Sequence, residues 1–119
     1  RGQSFNERTV PYATWREALR TMCLLVDVTD EEAGILMPIV PEIQDLLGRP
    51  VKTPQEIDPA SAKARLFAAI EAVFAKLTQP CLLILEDIHW ASESLELLRR
   101  IVNLLPQIPL LLVASFRDD

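Results

Sequence analysis

Glycine, cysteine and histidine are scarce in this chain, which has three Gly, two Cys and one His among 119 residues. So few glycines exclude a collagen-like or linker-like polymer, even beside nine prolines. Cys23 and Cys81 lie far apart, each inside an apolar run, so they read as two buried reduced thiols rather than a disulfide framework. That usage fits a reducing compartment, and a cytoplasmic location is the expectation. His89 has no second His or Cys nearby, so it reads as a loop residue and not as part of a zinc site. No G-x-S-x-G elbow, C-x-x-C pair or H-E-x-x-H helix appears, which leaves hydrolase triads and zinc catalysis without support. Positive charge is also short: 12 Lys and Arg stand against 17 Asp and Glu, for a net charge of −5. The basic residues are scattered, so nucleic acid is not an expected partner. The longest apolar stretches, such as Ile108 to Phe116, reach about half of what a membrane helix needs, so no membrane contact is expected. No basic segment followed by an apolar one opens the chain. Its first residue is Arg rather than Met, so residues 1–119 read as one domain-sized internal fragment of something longer.

What is present is apolar residue content of 50%, enough for a single core at this length. Residues 1–13 read as an irregular lead-in. Thr14 and Glu17 have capping-box spacing, and Leu19, Met22, Cys23 and Val26 follow at helical spacing. Asp30 is placed to cap a second helix from Glu31 to about Val40, which Pro38 should end or kink. A short third helix runs from Pro41 to Leu47, with Gly48 as its terminator. Asp58-Pro59 is a strong start for a long helix from Ala60 to Leu77, apolar at 66, 67, 70, 73, 74 and 77. The pattern then changes. Cys81 to Leu85 and Leu110 to Ala114 are short continuous apolar runs of strand length, expected to be buried on both faces. Between them Ser92 can cap a helix carrying Leu95, Leu98, Ile101, Val102 and Leu105, with Arg99 and Arg100 on its wet side. Strand, helix, strand makes a crossover with parallel, right-handed pairing. The fold class is α/β, helix-rich, with a parallel pair from the centre of a larger doubly wound sheet.

The chemistry concentrates at the ends of the two strands. Glu86 and Asp87 leave the first strand together, and unpaired carboxylates are costly there unless they face solvent, a cation or donors. Ligands of open α/β sheets bind outside the carboxyl ends of the strands, where a phosphate-bound Mg²⁺ would need oxygen ligands. Alternation along an extended strand would point the two acids at different atoms. The second strand ends in Ser115-Phe116-Arg117, which parallel pairing sets beside the acids. The plainer alternatives are that the acids only mark the strand's exit into solvent and that Arg117 only pairs with one of them. Trp90 reads more readily as a packing anchor than as a stacking platform.

Leu82 to Ser92, LLILEDIHWAS, resembles the Walker B segment of the STAND and AAA-like signalling ATPases, in which a buried strand ends in two acids followed by His-Trp and a small residue. Such modules occur in large LuxR-type transcription regulators, in multidomain adenylate or guanylate cyclases and in protein kinases. LLLVASFR resembles the sensor 1 strand of the same family, and RGQSFNERTVPYATWREALR the segment after its second strand. The match through Ala64 to Pro80 is weaker. The resemblance implies a partial P-loop NTPase fold of the ASCE type, with ATP and Mg²⁺ as ligands of the intact protein. It implies that Glu86 helps hold Mg²⁺, that Asp87 orients and polarises the water attacking the γ-phosphate, and that Arg117, with Ser115 before it, senses that phosphate. Family members often carry Asp where this chain has Glu86, a tolerated departure. A larger departure is that G-x-x-x-x-G-K-[ST], whose amides and Lys cradle the phosphates, occurs nowhere in the 119 residues. The strand carrying that loop and the lid beyond sensor 1 are therefore expected to be absent. Without the loop the acids would repel a triphosphate, so no ATPase activity is expected of these residues alone. The expectation is the middle of a nucleotide switch that rearranges neighbouring regulatory or output domains.

The competing reading is a non-enzymatic interaction or oligomerisation module whose strands expose apolar surface and associate with a partner or a second copy. A phosphoacceptor receiver domain also sets acids at strand ends, but it alternates five strands and helices over about this length, and only two strands are legible here.

Overall fold

The computed structural model describes residues 13–89 and 93–117, with the backbone alone for Ala13, Thr14, Asp87, His89 and Arg117. Helix α1, Ala13–Leu25, buries Trp15, Ala18, Leu19, Met22 and Cys23 along one stripe. The helix begins a residue before the expected start, so Thr14 lies in its first turn and not in front of it. Helix α2, Asp30–Leu36, is capped by Thr29 rather than Asp30. The Thr29 hydroxyl accepts from the Glu32 amide at 3.1 Å, and the Glu32 carboxylate accepts from the Thr29 amide at 3.0 Å. Asp30 becomes the first helical residue, where its charge suits the dipole, and its carboxylate pairs with Arg49 at 2.6 Å. The helix ends at Leu36, two residues before Pro38.

Helix α3, Ile43–Leu47, closes on Gly48, whose φ of 73° is the left-handed conformation that a Cβ disfavours. Residues 49–58 then run without regular structure across α2. They cross so closely at Gly34 that a Cβ there would meet the Lys52 carbonyl oxygen. Helix α4, Pro59–Ala75, starts as the sequence indicates: the Asp58 carboxylate accepts from the Ser61 amide at 3.0 Å, with proline in the first turn. Phe67, Ile70, Val73, Phe74 and Leu77 are buried at the expected helical spacing.

The Asp58 cap has a pH signature. The Ser61 amide holds the Asp58 carboxyl below the ordinary carboxylate range. A group whose folded pKa is lowered stabilises above its unfolded value, about 4 for Asp, and loses that contribution as pH falls through the folded value. Urea unfolding followed from about pH 6 to about pH 2 should therefore show Asp58→Asn, which keeps a capping oxygen, with a shallower acid loss than the unaltered chain. Parallel profiles would mean that the cap does not titrate with folding.

Strand β1, Cys81–His89, and strand β2, Leu110–Arg117, form a parallel two-stranded sheet, joined through helix α5, Glu93–Val102, and a 3₁₀ turn at Leu105–Gln107. Helices α1 and α5 pack on β1. Helix α5 is also fastened to α4: Lys63 pairs with Glu96 at 2.8 Å, Arg100 pairs with Glu71 at 3.3 Å, and both cations lie over the Phe67 ring. Leu97 is fully buried beside the expected Leu98 and Ile101, while Val102 is 45% exposed. The Ser92 cap lies outside the described residues.

Burial on both faces of the strands is not observed. Leu83, Leu85 and Leu110 are buried, but Leu82, Ile84, Leu111 and Val113 are 56%, 59%, 64% and 49% exposed. A continuous apolar run is what a sheet covered on both sides requires. Among the described residues, helices cover one side only.

Candidate functional site

The strands continue past their apolar runs, by four residues beyond Leu85 in β1 and by three beyond Ala114 in β2. Pairing is regular from Cys81 with Leu110 to Leu85 with Ala114, then steps by one residue and resumes with Ile88 opposite Phe116 and His89 opposite Arg117. Two residues of β1, Glu86 and Asp87, thus stand against Ser115 alone, which is the count of a β-bulge.

The step has a physical cause in the side-chain pattern. Leu83 and Leu85 occupy the covered face, and unbroken alternation would give the next place there to position 87. The step gives it to Ile88, which is fully buried, so the covered face stays apolar at that place. At the level of the backbone, Glu86 and Asp87 are held together in a bulge. The sequence carries no signal for it, because residues 81–85 are all apolar and do not show which of them the helices cover.

Glu86 is exposed and shares its face with Leu82 and Ile84; Ser115 is exposed and shares its face with Leu111 and Val113. One strand spacing, about 5 Å, separates the backbones at this point. Among the described residues the Glu86 side chain makes no hydrogen bond or ion pair, which leaves its carboxylate oxygens open as acceptors. The register brings the backbones of Glu86, Asp87, Ser115 and Arg117 to the same end of the sheet. The side chains of Asp87 and Arg117, and the whole of Trp90, lie outside the described residues, and with them the expected meeting of guanidinium and acids. His89 is in the strand and not in a loop.

No group of three or more His, Cys, Asp and Glu side chains that could cage a metal occurs among the described residues. The described side-chain donors at the strand ends, those of Glu86 and Ser115, are hard oxygens. That set suits Mg²⁺, which keeps several waters and takes one or two carboxylates beside the phosphates, and it does not suit zinc.

A parallel βαβ unit with acids at one strand end and a hydroxyl at the other is common to many nucleotide folds. The family model described as AAA ATPase domain matches residues 1–113. This chain belongs to the AAA ATPase domain family. No curated protein and no solved structure matches it. Membership gives the chain a P-loop NTPase type of fold, of which the helices and the parallel strand pair are a partial α/β piece, and makes it a nucleotide-binding, ATPase-type module. AAA ATPase domains generally bind ATP with Mg²⁺. The matched span contains all of β1, including both acids, and ends at Val113, two residues before Ser115. No helix among the described residues is long and apolar enough to cross a membrane.

Proposed function

We propose that this chain supplies the Walker B and sensor 1 strands of a STAND-type ATP-hydrolysing signalling switch, with β1 as the former and β2 as the latter. The observation that carries this reading is the register step that sets Glu86 and Asp87 against Ser115, two residues before Arg117, at the carboxyl end of a parallel pair. Acids, hydroxyl and guanidinium then belong to one strand-end site where α/β sheets bind ligands.

In this reading Glu86, open at the strand end, accepts hydrogen bonds from water around Mg²⁺. The ion's own contribution is to neutralise charge on the triphosphate. Asp87 accepts a hydrogen bond from the attacking water and turns its lone pair toward the γ-phosphorus. Ser115 and Arg117 donate to that phosphate and register its loss, which passes through β2 to the neighbouring regulatory or output domains in the cytoplasm. The phosphate-cradling loop is not among these 119 residues, so the chain alone does not turn over ATP; catalysis belongs to a longer polypeptide that supplies G-x-x-x-x-G-K-[ST].

The test is the Mg²⁺ dependence of ATP hydrolysis by that longer polypeptide. Glu86→Gln should raise the Mg²⁺ concentration needed for half-maximal turnover by about 10- to 100-fold, the usual cost of losing an outer-shell carboxylate, without changing metal-free ATP binding. An unchanged Mg²⁺ curve would remove Glu86 from the site.

The exposed aliphatic face of the sheet favours a second reading, an interaction module without catalysis. The two readings concern different parts of the sheet, one the strand ends and the other its flat side.

A further inference from the structure

We propose that the cleft between the α2–α3 turn and the 49–58 segment binds a small organic monocarboxylate with an apolar body, its charged end held by Arg65. The inference is independent of the ATPase reading, since no residue of the sheet lines this cleft. The space measures about 430 Å³, within the range of small-molecule sites. The α2–α3 turn contributes Met37, Pro38 and Pro41 to its wall, the segment contributes Pro54 and Glu56, and helix α4 contributes Arg65.

The cleft is held open by its own surroundings. Three of its wall residues are prolines, whose rings fix φ. The 49–58 segment is fastened along its length: Arg49 pairs with Asp30 at 2.6 Å, the Val51 amide donates to Gln44 Oε1 at 2.8 Å, and Arg65 Nη1 donates to the Gln55 carbonyl at 2.8 Å. Gly34, which also lines the cleft, lets the segment cross α2 at a distance that a Cβ would forbid. A site already in its bound shape loses little freedom when a ligand enters.

Arg65 supplies the charge that selects the ligand. Arg16, Arg20, Arg49 and Arg100 each meet a carboxylate of this chain. Among the described residues Arg65 meets none, and its Nε is buried without an acceptor. With Nη1 taken by the Gln55 carbonyl, Nε and Nη2 remain, and they form the edge of the guanidinium whose two parallel donors match the two oxygens of a carboxylate. Glu56 is exposed at the same cleft and pairs with no cation among the described residues. One guanidinium beside a standing negative charge suits a monoanion and disfavours a phosphate dianion. An apolar body on that monoanion covers the methionine and proline walls.

Proton–nitrogen correlation NMR on the 119-residue chain, with hydrocinnamate as the probe, tests this. The Arg65 Nε–H resonance and the Gly34 and Gln55 amide signals should shift together, with a dissociation constant of about 1 mM. Hydrocinnamyl alcohol and inorganic phosphate should each bind at least about tenfold more weakly. Arg65→Lys keeps the charge and removes the paired donors, and should weaken hydrocinnamate at least about tenfold with helical circular dichroism unchanged. Glu56→Gln, at an exposed position that the fold does not depend on, should tighten it about twofold. The proposal is overturned by shifts that fall elsewhere, by no saturation up to about 20 mM, or by equal binding of the alcohol, of phosphate or to the Arg65→Lys protein. An acetylated tripeptide ending in phenylalanine that binds more than about tenfold tighter also overturns it, since the occupant is then a peptide end.

Discussion

Asp87→Asn in the polypeptide that carries this segment together with a phosphate-binding loop should lower the ATP turnover rate by at least about a hundredfold, the scale of losing a positioned general base. ATP affinity should stay within about twofold, since the amide keeps the shape and one acceptor oxygen but can no longer draw a proton from water. Single-turnover hydrolysis and equilibrium nucleotide binding, measured on the same preparation, separate the two effects. An interaction module without catalysis predicts no turnover in either form. An ATPase whose attacking water is activated elsewhere predicts turnover that survives the substitution. The contrast with Glu86→Gln is informative: that change should be offset by more Mg²⁺, and Asp87→Asn should not.

The largest stability effect is expected at Trp15. Its indole is fully buried and meets Phe74 edge to face, with ring centroids 6.3 Å apart at 83°. It thereby joins the first helix to the long fourth one. Trp15→Ala should cost about 3–5 kcal/mol, through lost transfer energy and the cavity left behind. A domain with a total stability of about 5–15 kcal/mol would lose most of its margin. Trp15→Phe should cost much less than the lost area suggests. The indole Nε1 is buried without an acceptor among the described residues, so the smaller ring also removes an unsatisfied donor. Urea midpoints of the three forms give the ranking; a Phe variant as damaged as the Ala variant would show that the indole nitrogen has a partner after all.

Most of the helical framework was legible because its signals are local. Asp58-Pro59 and Gly48 act through their own backbone geometry, and they start α4 and end α3 as the sequence indicates. Where two residues offered the same chemistry, spacing decided: Thr29 wins the cap from Asp30 because Glu32, three residues after Thr29, can return the hydrogen bond. The apolar runs mark the strands but understate their length, since the side-chain character changes at Glu86 while the backbone ladder runs on through Glu86 and Asp87 to His89. Burial on both faces is not legible for a related reason. Leu82 and Ile84 have the residue type that a covered sheet demands, and residue type cannot tell whether the cover is in the same chain. At the site, the neighbouring strand ends followed from parallel pairing. The register step did not, because it depends on which residues the helices bury at 85 and 88.

That step fixes a length rather than an identity. Between the pairs Leu85–Ala114 and Ile88–Phe116, one strand has two residues and the other has one. Exchanging either acid alters chemistry at the rim and leaves the architecture standing. Adding or removing a single residue there would instead drive Ile88 out into water or pull a carboxylate into the hydrocarbon interior. Related sequences should therefore vary in which acids they place between these anchors long before they vary in how many positions separate them.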